Sequence, residues 1–151
     1  MKVPIVHHAA LFKAKSMGDI MLDIMKSEQN FMLPFDKWTD KAYEVAKQQV
    51  NFKAKSSREM LPVYFRQAFV VIMYREFQDR YSMTICGKRM AQLENRKNPY
   101  IHCTVIHYLN RHKDAMEYPK ANSLYIDVFN AIFTELKRQS FLIRFTNAND
   151  N

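Results

Sequence analysis

Apolar residues recur along this chain at three- and four-residue steps, and the every-second-residue alternation of half-buried strands is almost absent. The pattern predicts an all-α protein. Ser16-Met17-Gly18-Asp19 has the form of a capping box, in which a serine hydroxyl and an acid three residues on satisfy each other's free amides. A helix is expected from there to about residue 29, with Ile20, Met21, Ile24 and Met25 on one face. After a turn at Pro34, Asp36 is expected to cap a second helix reaching about residue 50, with Trp38, Ala42, Val45 and Ala46 inward. Residues 51–59 (NFKAKSSRE) are polar and basic without an apolar period, and read as a loop.

The strongest helix is expected over about 61–80, with Pro62 tolerated in its first turn. Apolar residues cover most of its circumference, from Phe65 through the run 68–73 to Phe77, which marks a central buried helix. A short helix follows over about 83–93. Asn98-Pro99 then has the form of a helix start, with Asn98 as cap and Pro99 at the first helical position, where its missing N–H costs nothing. The helix from Pro99 is expected to reach about residue 115. Ile101, Val105, Ile106 and Leu109 form its inward stripe, leaving His102, Cys103, Thr104, His107 and Arg111 on its edges and outer face. Pro119 breaks the chain, and a last amphipathic helix is expected over about 121–139. Phe141, Leu142, Ile143 and Phe145 either pack on that helix, the preferred reading, or form an apolar patch.

Composition narrows the chemistry. Gly18 and Gly87 are the only glycines among 151 residues, so a glycine-rich phosphate loop or dinucleotide fingerprint cannot be built. The formal net charge is +8, and its placement is uneven: residues 51–120 hold 13 basic and 6 acidic groups, a net of +7. A local positive block is the electrostatic footprint of a polyanion partner. Cys86 and Cys103 read as reduced thiols. No signal peptide is visible, and the longest apolar run, 68–74, is far short of a membrane span. An intracellular, cytoplasmic setting without membrane contact is expected.

The helix over 83–93, a linker and the helix from Pro99 form a candidate helix-turn-helix, a motif whose second helix enters the DNA major groove and reads bases with its first turn. His102 and Thr104 lie in that turn. Metal binding is the rival for the same residues. A structural zinc site needs four ligands, commonly two close pairs, and Cys103 with His107 is the single pair on one helix face, with nothing tying His7-His8 to it. No paired carboxylates and no visible cysteine–base arrangement suggest catalysis. No enzyme activity, metal or cofactor is expected.

The stretch from about residue 53 to 137 resembles the C-terminal DNA-binding domain of the bacterial chromosomal replication initiator DnaA. Lys53-Ala54-Lys55-Ser56-Ser57-Arg58-Glu59 looks like that family's basic loop, and Arg66-Gln67-Ala68 is similar to the start of its central helix. Cys86-Gly87-Lys88-Arg89-Met90 matches its small-Gly-x-x-apolar step, and His102-Cys103-Thr104-Val105-Ile106-His107 resembles its His-Thr-Thr-Val-Leu-His signature. The turn before His102 is about seven residues longer than the family's, and Cys103, Ile101 and Tyr108 depart from its pattern. The resemblance implies a Trp-repressor-like helix-turn-helix domain over 51–140, preceded by a helical arm (1–50) and followed by a tail (141–151).

By the same resemblance, double-stranded DNA is the partner, without nucleotide, since the ATPase module is missing. His102 and Thr104 would contact bases, with His107 and Asn98 nearby. Lys53, Lys55, Arg58, Lys88, Arg89, Arg96 and Lys97 would anchor phosphates. A free-standing domain of this kind suits a bacteriophage or mobile-element accessory regulator of replication or transcription. The alternative is a protein-interaction or structural module that keeps the fold and not the DNA contact. A protein partner or second copy is assigned to the N-terminal arm, although no heptad seam is visible there.

Overall fold

The computed structural model describes residues 17–18, 21, 33–53 and 60–146. The expected helix over 16–29 and the loop segment 54–59 lie outside the described residues, apart from Met17, Gly18 and Met21, which are exposed. The fold is all-helical. Among the described residues five helices run in order from Phe35: α1 (Phe35–Lys47), α2 (Leu61–Phe77), α3 (Met83–Leu93), α4 (His102–Glu117) and α5 (Ser123–Arg138).

α2 is the axis of the fold and packs against all four other helices. Its apolar residues cover most of the circumference, so a buried central position hides them: Leu61 and the unbroken run Ala68 to Met73 are fully buried. Pro62 sits in the first turn as expected. α1 shares the core although its residues read as part of an arm, and Phe35, Trp38, Ala42 and Ala46 are all buried in it. Trp38 meets Phe77 edge to face at 4.9 Å, and its Nε1 donates to the Phe141 carbonyl at 2.9 Å.

The segment after α5 packs inward, as preferred from the sequence. α5 ends in a Schellman closure: the Phe141 amide donates to the Leu136 carbonyl and the Ser140 amide to that of Lys137, with Ser140 at φ 62°. Phe141, Leu142 and Phe145 are then buried, and only Ile143 of the expected patch is exposed. Phe145 packs on Phe133 at 5.1 Å. The buried carboxylate of Glu76 accepts from the backbone N–H groups of Ile143, Arg144 and Phe145, at 2.8, 3.0 and 3.2 Å to Oε1. Burial pushes this carboxyl above its ordinary value, opposed by those three donors.

Two expected starts are corrected. α1 begins at Phe35 after Pro34, so Asp36 sits in the first turn, where its charge suits the helix dipole, and not at the cap. α4 begins at His102, three residues beyond Pro99, with extended Ile101 (φ −79°, ψ 164°) as its cap, and neither Asn98 nor Pro99 is helical. The buried face of α4 is Val105, Tyr108, His112 and Ala115. Ile101 and Ile106, expected inward, are 59% and 39% exposed. The physical reason is the later start: Tyr100 takes the buried place before the helix, and Val105 sets the register behind it. His112 is buried because its Nδ1 hydrogen-bonds the Tyr125 hydroxyl at 2.8 Å, which satisfies a polar ring in the core.

Candidate nucleic-acid interface

The pair α3 and α4, with the turn between them, is held by contacts that begin in α3. Ser82 caps α3 by accepting from the Ile85 amide at 3.3 Å. Gly87 lies against the backbone of the turn: a Cβ at that position would stand 2.2 Å from the Tyr100 carbonyl oxygen and 3.3 Å from Val105 Cγ2. The glycine is required by close approach, not by an unusual φ.

α3 ends in a second Schellman closure. The Arg96 amide donates to the Ala91 carbonyl at 2.8 Å and the Asn95 amide to that of Gln92 at 3.1 Å, with Asn95 at φ 56°. Asparagine tolerates the left-handed region better than most residues, so the longer turn is closed without a glycine.

A polar network then fixes the turn to α2. Arg66 Nε donates to both Glu94 carboxylate oxygens, at 3.0 and 2.9 Å, and the Tyr100 hydroxyl donates to the same carboxylate. The Arg96 guanidinium lies 4.2 Å from the Tyr100 ring centroid and that of Arg66 5.2 Å. Burial and then the bond to Glu94 push the Tyr100 hydroxyl above its ordinary value. Spacing gave no signal for this network, because Arg66 and Glu94 are 28 residues apart.

The expected site residues divide in three ways. Arg96, Lys97 and Asn98 on the turn, and His102 and His107 on α4, are exposed; Thr104 is half-buried in the first turn. That turn contains no acidic residue and its cap has no side-chain bond, and Ile101, His102 and Cys103 at this positive end of the helix are exposed. Cys103 Sγ lies 3.6 Å from His102 Nε2. Lys53 is exposed, while Lys55 and Arg58 lie outside the described residues.

Lys88 is exposed but lines a cleft of about 420 Å³ with Phe35, Tyr81 and Ile85, on the α1 side of α3. Arg89 is corrected. It stands two residues beyond Gly87 and so on nearly the opposite side of α3. Its side chain is 13% exposed, and it donates to Thr39 Oγ1 at 2.7 Å, to the Asp36 carbonyl at 3.0 Å and to Asp40. It ties α3 to α1 and is not free for a phosphate. Charge counting could not show this, since its partners lie about fifty residues earlier in the chain.

Among the described residues, no three His, Cys, Asp or Glu side chains come together as a metal site, and no helix is long and apolar enough to cross a membrane. No family model matches the chain, and no curated protein or solved structure matches it either.

Proposed function

We propose that the protein binds double-stranded DNA without catalysis, using α3 and α4 as a helix-turn-helix of the kind its sequence resembles in the DnaA C-terminal domain. The observation that carries this reading is the first turn of α4. His102 and Thr104 stand at an uncapped, acid-free helix N-terminus, directly after the exposed cations Arg96 and Lys97. In this reading the turn and Lys53 contact phosphates, His102 and Thr104 contact base edges in the major groove, and Arg96, stacked on Tyr100, presents its N–H edge to the backbone. By the resemblance, the role is that of an accessory regulator of replication or transcription.

The test is a fluorescence-anisotropy titration with a random-sequence duplex and with one carrying a DnaA-type box, at two salt concentrations. Affinity is expected to fall steeply with salt, since each neutralised phosphate contributes about −0.9 to the log–log slope. His102→Ala is expected to cost about 1–3 kcal/mol on the preferred sequence and to relax preference. Absence of binding at low salt overturns the proposal and redirects the search to a protein partner, whose apolar interface would respond little to salt.

A further inference from the structure

A second concave site lies between the end of α2, the start of α3 and the middle of α4. The cleft measures about 300 Å³, the small end of the range for small-molecule sites. Met83, Ile106 and Leu109 make its apolar wall, and Tyr74 and Asn110 add a hydroxyl and an amide. Two cations, Arg75 and Lys113, line the same space.

Among the described residues neither Arg75 nor Lys113 has a carboxylate within ion-pair distance. Among the described residues, the Arg75 guanidinium makes a long hydrogen bond from Nη1 to Gln78 Oε1 at 3.4 Å, and its Nε is buried without an acceptor. A buried donor left unsatisfied is costly, and a planar guanidinium fork that lines the same cleft as an ammonium offers donors suited to a carboxylate. The apolar side chains of the same cleft select against a bare, strongly hydrated ion.

We propose that this cleft binds a small organic anion, a carboxylate joined to a compact apolar group. The carboxylate sits between Arg75 and Lys113, and the apolar body lies on Met83, Ile106 and Leu109. Ile106 stands three and four residues before Leu109 and Asn110, and Lys113 stands four and three residues after them, so the ligand lies along one side of α4. The site stands independently of the DNA reading, and its test uses no DNA.

The test is an amide-resolved NMR titration of the whole protein with 3-phenylpropionate, neutral 3-phenylpropan-1-ol and inorganic phosphate. Phenylpropionate is expected to give saturable shifts at Met83, Leu109 and Asn110, with the alcohol and phosphate each at least about tenfold weaker. Arg75→Gln is expected to weaken phenylpropionate by about tenfold or more. If that variant does not fold, Lys113→Gln, at an exposed position, serves instead with the same expectation. Equal affinity for the alcohol overturns the anion claim, equal affinity for phosphate overturns the apolar claim, and no saturable shift at millimolar ligand overturns the site.

Discussion

Replacing Gly87 by alanine tests whether α3 meets the turn before α4 as closely as described. In an ordinary helix interior this change stabilises, by about 1 kcal/mol, because alanine loses less backbone freedom on folding. Here the new Cβ would stand 2.2 Å from the Tyr100 carbonyl oxygen and 3.0 Å from its carbon. Both are backbone atoms, so no side-chain rotation relieves the clash, and the turn must move by about 1 Å to reach ordinary contact.

Overpacking of this kind costs about 1–3 kcal/mol, and a backbone obstacle places it at the upper end. Net of the helix gain, Gly87→Ala is expected to lose about 2 kcal/mol, or about 4–8 °C in Tm for a chain of this size. Urea unfolding followed by Trp38 fluorescence and by far-ultraviolet circular dichroism measures it. The displacement falls on Tyr100 and hence on the Arg66–Glu94–Arg96 network, so any DNA affinity should drop as well. A variant as stable as the parent, or more stable, refutes the close approach.

Three further outcomes follow from the packing. Arg89→Ala should lose about 2 kcal/mol of stability, through its bonds to α1, and leave the salt slope of DNA binding unchanged, whereas Arg96→Ala should lower that slope by about 1; the reverse pattern would return Arg89 to the interface. Burial raises the Glu76 carboxyl in the folded state, so its contribution to stability is fully present below the unfolded-state value and is lost as pH rises through the folded one. The parent should therefore lose stability relative to Glu76→Gln between mildly acidic and neutral pH, and denaturant midpoints that shift the other way would refute it. Burial also pushes the Cys86 thiol up to about 12 while Cys103 is exposed, so one thiol should react with a disulfide reagent at mildly alkaline pH and the second only on unfolding.

Local signals were enough for much of this architecture. The period of α2, the bounds of α3 and the amphipathic face of α5 are readable because packing there follows the apolar pattern. The start of α4 is not, because Asn98-Pro99 is a good helix opening by local rules. Those residues stay outside the helix, and Tyr100 reaches Glu94 and lies beneath Arg96, in a network that includes Arg66 on another helix. Arg89 shows the same limit: an arginine in a basic block looks available until a helix fifty residues earlier folds against it. The cleft at Arg75 belongs with these, since Tyr74, Met83 and Lys113 meet only in the folded state.

The closing contacts also bear on the order in which the molecule can be made. Trp38 bonds a carbonyl 103 residues further on, and Glu76 bonds amides 67 to 69 residues further on. A ribosome delivers these partners after α5, so α1 and α2 emerge with an indole N–H and a carboxylate whose protein partners have yet to appear. The core is completed in one late step, when residues 141–145 arrive. Until α3, α4 and α5 have followed α2 out, the nascent chain carries its most apolar helix largely uncovered, which makes synthesis, more than the finished fold, the interval in which this protein is open to aggregation.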